Sequence, residues 1–205
     1  MAVNTGRVPL GAEFSSPPPH PIPLLREWFD LAAARQVREP GAMALATVSW
    51  MGSASSRMIQ LSRITDQGIA FATHTGSRKG IELDQTRTWA GTFYWRETNQ
   101  QISLSGYSEQ LDDTEADALW SARPVEANAM SAATRQSEPL TDEVELLGRA
   151  RSLAEGGDPA RPATWIAYEL VVTEAEFWQS SPDRLYRRLR YELTEEGWIS
   201  ERLQP

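Results

Sequence analysis

Along this chain the spacing of apolar residues switches between the helical and the strand period. Leu24, Leu25, Trp28, Phe29, Leu31 and Ala32 recur at helical spacing up to Val37, and Pro40 ends that run. Strand-like segments follow at 42–50, 56–64 and 69–73, joined by the turns Met51-Gly52-Ser53 and Asp66-Gln67-Gly68. A short helix at 77–85 interrupts, and strands resume at 89–96 and 101–107. Helices are expected at 112–123, 125–135 and 140–153, the last with Val144, Leu147 and Leu153 on one face. A Gly-Gly-Asp-Pro loop then leads into three closing strands at 165–172, 184–193 and 197–203. Tight turns between successive strands imply antiparallel pairing and a barrel, so the fold class is mainly β with flanking helices, α+β. Residues 1–21 hold Gly6, Pro9, Gly11, Pro17, Pro18, Pro19 and Pro21 but few anchoring apolar groups, and are expected to form a flexible arm. Residues 22–205 form a single domain.

Composition narrows the function. A net charge of −8 argues against nucleic acid or an anionic membrane as the main partner, so an anion must be met by a local cluster of cations. The absence of cysteine removes disulfides, thiolate metal sites and a Cys nucleophile. No apolar run approaches a membrane span or a signal core, and a cytoplasmic protein is expected. His20 and His74 have no ligand spacing, so no metal site is expected. A nucleophile elbow, the GxGxxG fingerprint and the Walker A loop are also missing. An enzyme with no acid, base or metal of its own takes its chemistry from a cofactor.

The stretch Thr73-His74-Thr75-Gly76-Ser77-Arg78-Lys79-Gly80 joins a strand to a helix, and Lys79 is the only lysine in the chain. A hydroxyl, a glycine and adjacent cations at a helix start suit a phosphate; a solvated helix cap is the plain alternative. Other segments offer further polar groups. On the strand at 56–64, Arg57, Ile59 and Leu61 share one side, and Met58, Gln60 and Ser62 the other. Asn99-Gln100-Gln101 places amides at a strand entrance. Trp178 precedes Arg184, Tyr186 and Arg188, which share a face if 184–193 is a strand.

These segments together resemble the FMN-dependent pyridoxamine 5′-phosphate oxidase family. The matching residues are Ser56-Arg57-Met58-Ile59, Gly76-Ser77-Arg78-Lys79-Gly80 with Glu82-Leu83, Gln100-Gln101-Ile102, Arg123-Pro124, Arg135-Gln136-Ser137, Glu176-Phe177-Trp178, Arg184-Leu185 and Arg202-Leu203-Gln204-Pro205. The resemblance spans roughly residues 24–205 in family order. It implies a split β-barrel homodimer with FMN at the subunit interface, its phosphate held by Arg57, Arg78 and Lys79. It further implies that Met58, Ile59, Gln60, Leu61, Ser62, Ala72, Thr73, Ser77, Gln101, Gln136, Ser137, Trp178 and Arg188 complete the cofactor site.

The departures bear on the substrate. Where the vitamin enzymes hold the substrate phosphate with a lysine, a tyrosine and a serine, this chain has Ser62, Leu119 and Ala127, and the family's Arg-Leu-His becomes Arg184-Leu185-Tyr186. Arg38-Glu39-Pro40, Thr73-His74, Tyr94-Trp95-Arg96-Glu97-Thr98 and Arg135-Gln136-Ser137-Glu138 resemble the family's phenazine-biosynthesis branch. That resemblance implies oxidation of a reduced phenazine-carboxylate precursor. Electrons would pass through FMN to O2 with release of H2O2, no side chain acting as catalyst, and Arg123, Arg184 and Tyr186 would grip the substrate. Alternatives are a pyridoxine/pyridoxamine 5′-phosphate oxidase, a flavin-binding module without turnover, and the deazaflavin or haem binding known elsewhere in the family.

Overall fold

A computed structural model of the chain describes residues 11–205. The expected arm at 1–21 therefore lies partly outside the described residues. Its described part is packed: Ala12–Phe14 form a 3-10 turn, and Phe14, 5% exposed, meets the Trp28 ring edge-on at 6.3 Å. Arg202, near the other end of the chain, lies over the Phe14 ring and donates to the Phe14 carbonyl at 3.0 Å. Helix α1 (Pro21–Ala34) starts where the His20 imidazole accepts the Ile22 N–H and prolines occupy the first turn, positions whose N–H groups have no helical partner. It buries Ile22, Leu24, Leu25, Trp28 and Ala32 against the sheet.

Strands β1 (Ala42–Val48) and β2 (Ala54–Gln60) form a hairpin in which β1 turns Met43, Leu45 and Thr47 inward. The expected second strand at 56–64 is in fact broken. After Gln60 the chain crosses over: Leu61 N–H donates to Gly41 and Ser62 N–H to Ala70, and a two-residue β3 (Arg63–Ile64) pairs with β4 (Gly68–His74). This crossing joins the β2 edge to the β4 side of the sheet. Helix α2 (Arg78–Thr86) follows, then β5 (Thr88–Trp95) and β6 (Gln100–Gln110).

Three helices, α3 (Asp113–Ser121), α4 (Val125–Ala133) and α5 (Glu143–Glu155), separate these strands from the last three. Asp112 and Asp142 cap α3 and α5 by accepting the N–H groups of Glu115 and Glu145, both at 2.9 Å. The apolar face expected of α5 is not what it buries. Val144 is 81% exposed and Leu147 and Leu153 are partly so, while Ala150 turns inward.

The closing strands differ most from expectation. β7 runs unbroken from Trp165 to Gln179, 15 residues. Its first half pairs with β4 and its second half with β8 (Arg187–Thr194), while β6 flanks it along both. The register slips between Ser105 and Gly106, where a Cβ would lie 2.0 Å from the Val171 carbonyl oxygen, so only glycine fits. β9 (Gly197–Arg202) completes the sheet on β8, giving the order β2-β1-β5-β6-β7-β4-β3 with β8 and β9 branching from β7. β8 begins three residues later than expected because Arg184 takes a left-handed φ of 62° two residues after Pro182. Arg184 and Tyr186 therefore belong to the loop before β8, and do not share a strand face with Arg188. Phe177 sits at the core's centre, with the Trp28 and Tyr191 rings edge-on at 5.1 and 6.0 Å. No helix among the described residues is long and apolar enough to cross a membrane.

Phe14 distinguishes a packed segment from a free arm. Phe14→Ala should lower unfolding stability by about 3 kcal/mol, the low end for a buried phenylalanine. A shift of the denaturation midpoint with unchanged slope checks this; a free arm would leave the midpoint where it was.

Candidate functional site

The strand-to-helix turn at 73–80 is built around Ser77. Its hydroxyl accepts the Gly80 N–H at 3.1 Å as the N-cap of α2 and lies 2.9 Å from the Thr73 hydroxyl. Gly80 has no substitute here: a Cβ would stand 2.3 Å from the His74 carbonyl oxygen, so this close seating of α2 on the end of β4 needs glycine. A distant loop closes over the turn. Gln136 Oε1 accepts from Thr73 Oγ1 at 3.1 Å and from Lys79 Nζ at 3.2 Å, and Ser137, at a left-handed φ of 75°, accepts the Arg78 N–H.

The electrostatics of this corner are unbalanced. Three cations, Arg57, Arg78 and Lys79, share this corner with one carboxylate, Glu82. Glu82 receives Arg78 Nε at 2.9 Å and Arg57 Nη2 at 3.5 Å, while Lys79 pairs with no carboxylate among the described residues. Burial, and then the charge of Arg57, lower the Lys79 pKa to about 8. Burial lowers that of His74 too, with Lys79 and Arg123 adding to the effect, so its imidazole is neutral at pH 7. Burial alone would raise Glu82, but hydrogen bonds from Ser55, Thr47 and Arg78 outweigh it and hold the pKa at about 2. A helix N-terminus with surplus cations around it is a site for a doubly charged anion such as a phosphate.

Beside this corner lies a cavity of about 440 Å³. It is lined by Met58, Ile59, Gln60, Leu61, Ser62 and Ala72, by Lys79 and Gln136, and by Leu119, Ala122, Arg123 and Trp165. Arg123 is fixed there: its two terminal nitrogens donate to Asn128 Oδ1 and Ser131 Oγ, both at 3.1 Å. Its guanidinium lies 5.5 and 5.3 Å from the Trp120 and Trp165 ring centroids. Among the described residues no group of His, Cys, Asp and Glu is arranged to hold a metal ion.

The remaining expected residues form a second group. Gln101, Trp178 and Arg188 lie in one row across β6, β7 and β8, and Tyr186 packs on Trp178 at 5.2 Å between ring centroids. Arg188 is already engaged there by both oxygens of Glu176, at 2.7 and 2.9 Å. Trp165 and Trp178 are separated by roughly 40 Å of extended chain at about 3.3 Å per residue. No hydrogen bond or cavity wall among the described residues joins the two groups. Two residues that matter were not singled out as site residues. Glu82 is signalled by its place in the family-like Glu82-Leu83 and by the i, i+4 spacing to Arg78, while Asn128, which orients Arg123, offers no signal.

A barrel that branches at its longest strand, with a cation-rich helix start and a cavity of about 440 Å³ at one corner, defines the class as a split barrel. Residues 29–157 match the family described as pyridoxamine 5′-phosphate oxidase, and residues 165–205 match the pyridoxine 5′-phosphate oxidase C-terminal dimerisation region. Over 194 residues the chain is 46% identical to the dihydrophenazinedicarboxylate synthase of Burkholderia lata, covering 94% of this chain and 92% of that protein. It is 38% identical over 187 residues to the pyridoxine/pyridoxamine 5′-phosphate oxidase of Bordetella pertussis, covering 90% and 89%. The crystal structure of PhzG from Burkholderia lata in complex with tetrahydrophenazine-1-carboxylic acid superimposes with a TM-score of 0.93 at 46% identity, over 96% of this chain and 98% of that one. The chain belongs to the pyridoxamine 5′-phosphate oxidase family.

The pKa of Lys79 sets a pH dependence. Lys79 loses its proton at about 8 in the folded chain, whereas an unfolded lysine keeps it to about 10.4. The charged form is therefore a burden on the fold below pH 8, one that lifts as pH rises from 8 towards 10.4. Anion binding runs the opposite way, because it needs the ammonium. Affinity for inorganic phosphate, measured by calorimetry, should fall as pH rises from 7 to 9 in the wild type. It should stay nearly flat in Lys79→Arg, whose guanidinium remains charged.

Proposed function

We propose that this chain is an FMN-dependent oxidase that dehydrogenates a reduced phenazine-carboxylate precursor in phenazine biosynthesis. The observation that carries this reading is the division of charge in the cavity. Lys79, with Arg57 and Arg78 beside it, belongs to the cofactor's phosphate, which leaves Arg123 as the other cation of the cavity, among the apolar lining residues Leu119, Ala122 and Trp165. A flat aromatic carboxylate suits such a lining, since one guanidinium meets its charge and aromatic edges meet its rings. A phosphorylated vitamin is poorly served, because Ser62 and Leu119 line the cavity where the vitamin enzymes have groups that grip phosphate.

The residues fit FMN. Arg57, Arg78, Lys79 and the first N–H groups of α2 would hold its phosphate, with Gln136 and Ser137 closing over them. Met58, Ile59, Gln60, Leu61 and Ser62, with Ala72 and Thr73, would flank its ring. Gln101, Trp178 and Arg188, with Arg184 and Tyr186 beside them, would come from a second copy of the chain. That assignment is supported by the match of residues 165–205 to a dimerisation region and by the separation of the two groups along β7. Arg188, neutralised by Glu176, would contribute orientation there more than charge. When bound, FMN supplies the two-electron acceptor and passes the electrons to O2, releasing H2O2. The chain's own contribution is to seat the substrate on a dry aromatic wall, aim its carboxylate at Arg123 and keep that guanidinium still through Asn128 and Ser131.

In air, incubation with a reduced phenazine carboxylate should yield a product lighter by two hydrogens together with H2O2, read by mass spectrometry and a peroxide assay. Pyridoxine 5′-phosphate should react at least about 100-fold less efficiently, the loss of two charge-assisted hydrogen bonds at roughly tenfold each. Comparable turnover of the two would overturn the assignment in favour of a vitamin oxidase. Failure of the reduced phenazine to bleach the flavin without oxygen would leave a binding module instead.

A further inference from the structure

Glu82 lies outside the lining of the 440 Å³ cavity, yet with Arg57 it is one of the two most heavily bonded side chains of the site. Its carboxylate is 5% exposed and accepts from four donors on three elements: Thr47 Oγ1 and Ser55 Oγ at 2.5 Å each, Arg78 Nε at 2.9 Å and Arg57 Nη2 at 3.5 Å. The two hydroxyls set the polarity of the cluster. Each has a single proton, directed at Glu82, and each uses its lone pairs to accept from Arg57, with Nη1 at 2.6 Å from Thr47 Oγ1 and Nη2 at 2.5 Å from Ser55 Oγ. Apart from the bond Arg57 Nη1 gives the Leu45 carbonyl at 3.3 Å, the donations run from Arg57 to the hydroxyls and from the hydroxyls to the carboxylate. Arg78 spends only Nε on Glu82; its guanidinium is otherwise 62% exposed, with terminal nitrogens that have no partner among the described residues.

We infer that Glu82 is the positioning residue of the phosphate cradle, holding Arg57 and Arg78 in the orientation that meets a phosphate. It also sets the charge of the cradle. Arg57, Arg78 and Lys79 carry +3, and Glu82 brings the sum to +2, the complement of a phosphate near its dianion form at neutral pH. The proposal rests on the reading that the cradle holds the phosphate of FMN. The low pKa of Glu82, about 2, keeps it an acceptor over the whole working pH range. A glutamine in its place keeps one acceptor oxygen: turned to Thr47, Ser55 and Arg57 it leaves its NH2 facing the Arg78 Nε–H, and flipped it sets the NH2 against the two hydroxyls and Arg57, so in either orientation a donor meets a donor even though the shape is kept.

The test compares FMN with riboflavin, which has the same ring but no phosphate, by fluorescence titration of the cofactor-free full-length chain. Wild type should bind FMN the more tightly of the two. Glu82→Gln should lose about tenfold or more in FMN affinity, the loss of one charge-assisted hydrogen bond, with riboflavin affinity within about twofold of wild type. Equal loss for both flavins would reduce Glu82 to a support of the fold, and unchanged or tighter FMN binding would make it a mere opposing charge; either result overturns the proposal. Should Glu82→Gln fail to fold, Thr47→Val decides instead. It keeps the β-branched shape while removing one inward proton, and should give a smaller loss confined to FMN; a parallel loss or none overturns the proposal. A wild type that does not distinguish FMN from riboflavin would refute the cradle reading itself.

Discussion

β7 is the constraint from which the rest of the structure follows. Fifteen residues stay extended because β6 pairs along one side while β4 and then β8 pair along the other. The slip at Gly106 lets the strand bend without losing either partner. Its Trp165 end lines the cavity beside the cation cluster, and its Trp178 end carries the aromatic row with Gln101 and Arg188. One rigid strand therefore holds two half-sites apart in the same chain. This geometry suits a protein whose complete sites form only when two copies meet, as we propose.

The second organising force is electrostatic. Bringing three cations together in a partly desolvated corner is unfavourable, and one sees the strain in the lowered pKa of Lys79. Glu82 relieves only part of it, and Gln136 offers Lys79 a dipole but no charge. The residual positive field is what makes the corner receptive to an anion, although the chain as a whole carries −8. Arg123 is held outside this group, against the Trp120 and Trp165 rings and tied to Asn128 and Ser131, with no carboxylate partner among the described residues.

Much of this was legible in the sequence because it is local. The helix of Leu24, Leu25 and Trp28, the β1–β2 hairpin and the turn around Ser77-Arg78-Lys79 each rest on contacts within a few residues, so periodicity and turn chemistry reveal them. The misreadings share a different cause. Leu61 and Ser62 leave their strand because their N–H groups find Gly41 and Ala70, partners that no local pattern announces. β7 reads as ending near Thr173 because polar Thr173, Glu174 and Glu176 follow an apolar run, but its second half is a half-exposed strand with ordinary alternation. Val144, Leu147 and Leu153 have helical spacing, but spacing does not reveal that α5 lacks a partner on that side.

By itself the sequence determined the chemistry available: a single lysine set beside an arginine at a helix start, no thiols, no histidine pair at ligand spacing, and an arginine at 123 among mostly apolar neighbours. It also determined the hairpins and turns that rest on near neighbours, such as β1–β2 and the turn before α2, but not where β2, β7 and β8 end or begin. The tertiary structure alone decided which of these groups meet. Gln136 reaches Thr73 and Lys79 across about 60 residues, and Glu82 gathers Thr47, Ser55 and Arg57 from two other elements. It likewise decided that Trp178 and Arg188 stand at the far end of a long strand from Lys79. Burial and long-range hydrogen bonding, which fix those meetings, are properties of the folded chain and have no counterpart in the order of its residues.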